Sequence, residues 1–286
     1  MTVTHKRCYA LLCAYDGAAF SGFQRQPPLP TVQGALEDAL ARLGLKVQIE
    51  GGGRTDAGVH ARRQVVTFRA RELLNPAELQ RELGALLPEA LRIVDAREAP
   101  YSFHARFSAV GKIYRYCVAA MPAPGENERR FCWTLPDPRG FPDLEGPVER
   151  LDEESMRRVL EALRGWHDFR LLAHPKTFGK TRRLLMEARL RIREAEVGRI
   201  YELTFSSPGF LRHQVRNLVG VAVTAGLGRL PEGELERLLA AKGDRWRGVR
   251  APGRGLCLWD IRYRDGEDPF RPELRADDSR EEGRDD

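Results

Sequence analysis

One stretch of this chain brings together the residue types of a catalytic loop. Gly51-Gly52-Gly53-Arg54-Thr55-Asp56-Ala57-Gly58-Val59-His60-Ala61 sets a single carboxylate two residues after an arginine, between two apolar runs. Glycine at four of the first eight positions permits positive φ and lets a second molecule reach the backbone without meeting a Cβ. A carboxylate there can act as nucleophile or base on a bound ligand. The same residue can equally be a turn former, since Asp bonds its own nearby backbone. A nucleotide-phosphate loop is not indicated, because G-x-x-x-x-G-K-[ST] is absent and no G-x-G-x-x-G opens a helix.

Other chemistry-bearing residues are scattered along the chain. Phe20-Ser21-Gly22-Phe23-Gln24-Arg25-Gln26 mixes aromatic, amide and guanidinium groups able to stack on and hydrogen-bond bases, as does Ser102-Phe103-His104-Ala105-Arg106-Phe107. In Lys112-Ile113-Tyr114-Arg115-Tyr116, strand alternation puts Lys112, Tyr114 and Tyr116 on one face, which is as expected of a sheet core as of a base-stacking surface. Arg212 and Arg216, four apart on a predicted helix from Phe210 to Leu227, suit either a solvent face or a phosphate clamp. The six histidines show no H-x-x-x-H or H-E-x-x-H spacing, so no metal is expected, and with no motif for ATP or a dinucleotide no other cofactor is indicated. The five cysteines are odd in number and scattered, and read as reduced core thiols.

The elements that must position these groups follow from hydrophobic period and caps. Arg7 to Tyr15 is an apolar run of strand length, and Thr31 caps an amphipathic helix whose inner face is Val32, Leu36, Leu40 and Leu43. Lys46 to Glu50 and Gln64 to Arg69 read as strands flanking the glycine loop. Asn75-Pro76-Ala77-Glu78 opens a second helix, with Leu79, Leu83, Leu86 and Leu87 inward, and Leu91 to Glu98 closes a β-α-β-β-α-β unit. The same order recurs: a strand from Lys112 to Ala119, a five-proline loop, a helix from Asp152, strands around Met186–Ile192 and Tyr201–Phe205, the helix from Phe210, a short helix near Glu232–Ala240, and a strand from Leu256 to Tyr263. The reading is an α+β protein of two halves, 1–107 and 108–264, with a cleft between them, followed by a tail, 265–286, expected to be disordered.

Charge narrows the partner. The 286 residues carry a net +6, but Asp265 to Asp286 holds ten acidic residues and four arginines, leaving the body at +12. Such a body attracts polyanions, nucleic acid first among them. No apolar run approaches the ~20 residues of a membrane helix, and the first thirty residues carry no secretory signal pattern, so a cytoplasmic protein is expected.

Several blocks in order carry a family resemblance. They are Tyr15-Asp16-Gly17 with Phe23-Gln24-Arg25-Gln26, Gly53 to Ala61, Phe103 to Ala109, Tyr114-Arg115-Tyr116, His167-Asp168-Phe169, Phe210-Leu211 with His213 and Val215 to Gly220, and Ala251-Pro252 with Gly255-Leu256. From about Arg7 to Tyr263 the chain resembles the TruA-type tRNA pseudouridine synthases. The resemblance implies the pseudouridine synthase fold, two ferredoxin-like or RRM-like halves joined in a mixed, mostly antiparallel sheet with a central catalytic cleft. It implies isomerisation of uridine at positions 38, 39 and 40 of the tRNA anticodon stem-loop, by a homodimer, without metal or cofactor. It further implies Asp56 as the catalytic aspartate, Arg216 as its cationic partner, Tyr114 stacked on the target uracil, and Arg54 filling the space the extruded nucleotide leaves. Thr55, His60, Arg25, Gln26, Arg106 and Leu256 fall in the same blocks as substrate contacts. Phe23 and Gln214 stand where the family usually has tryptophan and methionine. The competing expectation is a catalytically idle RNA-binding module or RNA chaperone, against which the aromatic RNP1 signature is missing from both halves.

Overall fold

The computed structural model describes residues 6–271. In chain order its elements are β1 (Arg7–Tyr15), α1 (Val32–Arg42), β2 (Glu50–Gly51), β3 (His60–Ala70), α2 (Pro76–Leu86), β4 (Leu91–Ala99), β5 (Gly111–Ala120), α3 (Glu126–Phe131), β6 (Trp133–Leu135), α4 (Glu153–Leu163), β7 (Gly165–Asp168), β8 (Arg182–Leu185), β9 (Glu187–Glu194), β10 (Arg199–Ser207), α5 (Gln214–Gly226), α6 (Glu234–Leu239) and β11 (Leu256–Arg262). The class is α+β, as the alternation of elements predicts.

Caps start three of the helices where polar residues precede the apolar period. The Thr31 hydroxyl accepts from Gly34 N at 3.2 Å, the Asn75 side chain from Ala77 N at 3.0 Å, and Asp152 from Ser155 N at 3.2 Å. Each such cap contributes about 1 kcal/mol. The apolar faces these helices present, including Leu36, Leu40, Leu83 and Leu160, join Tyr9, Leu11, Phe68, Leu203 and Phe205 of the strands in one buried cluster. Burial of each such side chain is worth roughly 1.5–3 kcal/mol.

A nine-stranded sheet runs β4-β1-β3-β11-β5-β10-β9, with β2 added to β3 and β6 to β5. Within each βαββαβ unit the strands take the order fourth, first, third, second: β4-β1-β3-β2, then β11-β5-β10-β9. The two units meet where β11 lies parallel to the start of β3, pairing Cys257 with His60 and Leu258 with Ala61. That joint sits immediately after the glycine loop. The remaining pairings are antiparallel, except β5 with β6.

Several local expectations are corrected. The strand predicted over Lys46 to Glu50 shrinks to Glu50–Gly51, since Ile49 N donates to the Glu37 carboxylate of α1 at 3.3 Å and makes no ladder bond there. The five-proline loop contains α3 and β6, and β7 pairs with β8 in a separate two-stranded sheet. The cysteines are not all reduced: Cys117 and Cys132 form a disulfide, Cα atoms 4.6 Å apart, because β6 lies parallel beside β5 with Val118 opposite Trp133. The other three remain thiols, and burial pushes Cys13 up to about 12 and Cys257 up to about 11, which keeps both unreactive. The predicted disorder of the tail fails over its first seven residues, where Phe270 packs on the core and Arg271 reaches Asp260 at 3.0 Å. Residues 272–286 of that tail lie outside the described residues.

Candidate active site

The loop between β2 and β3 is held from below. The buried Gln64 of β3 bonds Gly53 through both ends of its amide, accepting from Gly53 N at 3.1 Å and donating to the Gly53 carbonyl. The Thr55 hydroxyl lies 2.8 Å from the Tyr15 hydroxyl, and its carbonyl accepts from Phe23 N at 3.0 Å. The side chain of Thr55 therefore anchors the loop. Of the loop's four glycines only Gly58 has positive φ, at 75°. Gly51 and Gly52 serve by leaving room: a Cβ would stand 2.3 Å from the Phe23 ring at the first and 2.6 Å from the Ile261 side chain at the second. So braced, the loop presents Asp56 into a cleft of about 970 Å³, with 27% of its side-chain surface exposed.

The opposite wall comes from α5. This helix is buried along nearly its whole length, and Arg216 is its one residue left partly exposed. An apolar helix thus brings a single charge to the cleft. Its guanidinium is fixed by Nε donating to the Ala251 carbonyl at 2.7 Å, and one terminal nitrogen reaches Asp56 Oδ2 at 3.3 Å. The 249–251 segment can lie that close because Gly220 has no side chain: a Cβ there would stand 1.8 Å from the Val249 oxygen. The predicted helix start at Phe210 is corrected to Gln214, because His213 has left-handed backbone, φ 65°. Arg212 consequently lies in the loop ahead of α5, not on a face shared with Arg216, though both line the cleft.

β5 supplies the floor. Lys112 and Tyr114 line the cleft, whereas Tyr116, on the same strand face, is core and donates to the Pro252 carbonyl at 2.8 Å. The Tyr114 ring meets Phe210 edge-on at 5.3 Å, and burial raises its phenol above the ordinary range, so it stays protonated. Burial, aided by Arg106, lowers the Lys112 ammonium to about 8. Arg54, Gln26, Arg106 and Leu256 also line the cleft, the first three exposed and Leu256 buried at the start of β11.

Two sequence-derived candidates are not among the residues lining this cleft. His60 is buried at the joint of the halves, its Nδ1 3.1 Å from Gly17 N and its Nε2 3.0 Å from the Arg254 carbonyl. Arg25 turns outward to Glu37 and Asp38 of α1, at 3.2 and 2.9 Å, because two carboxylates on that helix outcompete an open cleft.

A glycine-braced aspartate, an arginine delivered to it from the other half, and a buried tyrosine floor are together what comparison with known proteins must account for. The profile of tRNA pseudouridine synthases matches residues 12–108 and 159–264. The chain belongs to the tRNA pseudouridine synthase family. A tRNA pseudouridine synthase A of Thermus thermophilus is 39% identical over 256 residues, covering 88% of this chain and 95% of the relative. That of Geobacillus kaustophilus is 37% identical over 260 residues, covering 89% and 93%. A crystal structure of a Cbf5-Nop10-Gar1 complex aligns over 75% of this chain and 45% of that one at 12% identity and a TM-score of 0.31, too low to add weight.

Within this tRNA pseudouridine synthase family member, Asp56, His213, Arg216 and Leu256 fall inside the matched spans, while Tyr114 and Lys112 fall between them. Sequence reading passed over His213 and Lys112 as site residues. Both stand in stretches the sequence singles out, but their place in the site follows from the backbone of His213 and the burial of Lys112, which distant segments set. Gln214 is likewise buried beside the cleft, its Oε1 accepting from Leu211 N at 2.8 Å and its Nε2 without a partner.

Proposed function

We infer that this protein isomerises uridine to pseudouridine in tRNA, with Asp56 as the carboxylate that acts on the nucleotide. The reaction breaks the N1–C1′ bond, turns the detached uracil and joins C5 to C1′, while the proton lost from C5 is balanced by one gained at N1. Atoms and oxidation state are conserved, so a carboxylate, a cation and a stacking surface suffice. The observation that carries this reading is the Asp56–Arg216 pair at 3.3 Å inside a cleft floored by Tyr114.

The proposed roles follow from position. Arg216 pairs with the carboxylate and orients it, and Tyr114 receives the uracil face. Arg54, exposed at the cleft and two residues before Asp56, takes the space vacated in the stem. Extrusion of a nucleotide costs a few kcal/mol, which stacking and the Arg54 contacts offset. Arg106, Gln26 and Arg212 line the same cleft and are assigned to the RNA backbone. The halves 1–107 and 108–264 are assigned one wall each, and the substrate site to positions 38, 39 and 40 of the anticodon stem-loop. A homodimer holding one tRNA across both subunits in the cytoplasm completes the proposal.

The test is incubation with unmodified tRNA transcripts and carbodiimide mapping of pseudouridine, beside Asp56→Asn. The wild type should modify the anticodon stem-loop and the variant should bind tRNA but form no product. Product from Asp56→Asn would remove Asp56 from the chemistry, and binding without product by the wild type would favour an RNA chaperone.

A further inference from the structure

His213 has three neighbours that together dictate its state. Its Nδ1 lies 3.1 Å from a terminal nitrogen of Arg250, its Nε2 lies 3.5 Å from Asp56 Oδ2, and its ring meets His174 edge-on at 4.7 Å. A guanidinium has only donors. Arg250 therefore donates to Nδ1, which must keep its lone pair, and the ring proton resides on Nε2, the nitrogen that faces the carboxylate. The side chain is only 9% exposed. Its backbone is left-handed, φ 65° and ψ −4°, a conformation that costs a non-glycine residue of order 1–3 kcal/mol and persists only where the surroundings enforce it.

The contacts to Asp56 are one-sided. Arg216 at 3.3 Å and His213 at 3.5 Å both address Oδ2, and no residue among those described hydrogen-bonds Oδ1. At 3.5 Å the His213 contact is longer than a good hydrogen bond, and catalytic pairs of this kind tighten when substrate seats.

We propose that His213 is a positioning residue for the isomerisation: locked by Arg250 as the Nε2–H tautomer, it secures Asp56 Oδ2 together with Arg216 and leaves Oδ1 as the oxygen delivered to the nucleotide. This rests on the isomerase reading above. A neutral donor suits the task, since it orients the carboxylate without neutralising it as a second full charge would. Burial is the main cause that lowers His213, to about 4, and Arg250, Arg216 and His174 act in the same direction against the opposing pull of Asp56. The ring thus stays neutral at pH 7, and Arg212 ahead of it adds no acid to the set.

The experiment measures single-turnover kcat and tRNA Kd for the wild type, His213→Ala, His213→Asn and Arg250→Met on unmodified tRNA. Loss of orientation of a reacting group can cost about 10²-fold, so His213→Ala should fall by about that factor in kcat with Kd changed less than about threefold. Asn tolerates left-handed backbone and carries an amide donor, so His213→Asn should recover most of the loss, which a merely structural role would not allow. In Arg250→Met the removal of one lowering cation should move the acid limb of kcat to higher pH. Unchanged kcat in His213→Ala, equal impairment in the Ala and Asn variants, a loss confined to Kd, or an acid limb unmoved by Arg250→Met would each overturn the proposal. If the wild type itself forms no pseudouridine, both readings fall; if it does and His213→Ala matches it, only the role of His213 falls.

Discussion

At Asp56 Oδ2 two side chains from the second half converge on one oxygen from the first, and the charged one is Arg216. Its Nε is already committed to the Ala251 carbonyl, so one edge of the guanidinium is held by backbone while the other addresses the carboxylate. An arginine gripping phosphate would instead be exposed, like Arg54 or Arg106. Arg216→Gln is therefore expected to lower kcat by roughly 10²-fold or more, the magnitude of removing one preorganised electrostatic contact, with tRNA Kd nearly unchanged. Single-turnover rates beside filter binding decide this, and equal losses in both would make Arg216 a phosphate ligand only. Thr55 and His60 illustrate the converse: both belong to the loop block, yet hydrogen bonds to Tyr15 and to the Arg254 carbonyl show them spending their polar atoms on the protein itself.

At the scale of elements, α5 is the device that delivers Arg216. Its burial sets its position firmly, and the crossing of the 249–251 segment at Gly220 sets how the guanidinium is anchored. Gly220→Ala would place a Cβ 1.8 Å from the Val249 oxygen, a backbone atom that cannot swing aside. Overpacking of this kind costs about 1–3 kcal/mol, or a Tm lower by roughly 5 °C for a chain of this size. The displaced segment should also weaken the Arg216–Ala251 contact and lower kcat more than Asp56-independent binding. Circular dichroism melts and turnover on the same sample check both, and an unshifted Tm would show that the crossing tolerates a methyl group and does not position the arginine.

The whole molecule contributes charge and a joint. With the body at +12, tRNA binding should be dominated by phosphate contacts and their released counterions. Raising salt from 50 to 200 mM is expected to weaken Kd by at least about tenfold, while single-turnover kcat at saturating enzyme stays constant. A flat salt dependence in filter binding would mean that base contacts, not the basic body, supply the affinity. The joint matters because the Asp56 loop ends where β3 begins, and β11 meets β3 at those same residues. Any change in how the halves meet would alter the Asp56–Arg216 distance directly.

Much of the fold is legible locally. Thr31, Asn75 and Asp152 announce helix starts, and alternation at Tyr201, Leu203 and Phe205 announces a buried strand, because caps and hydrophobic period act over a few residues. Where neighbours along the chain do not decide the structure, local reading fails. Ile49 leaves its strand for Glu37, Cys132 finds Cys117 across a parallel pair, and Phe270 folds back onto the core. The site divides the same way. The glycine loop with its one carboxylate is visible in the sequence, since residue type and spacing alone mark it as able to approach a ligand. That Asp56 faces Arg216 across 160 residues of chain, that His213 is turned by its left-handed backbone toward the same oxygen, and that His60 and Arg25 turn elsewhere were decided only by packing. These are contacts between distant segments, whose geometry depends on how the two units join in one sheet and on which polar partner each side chain meets first.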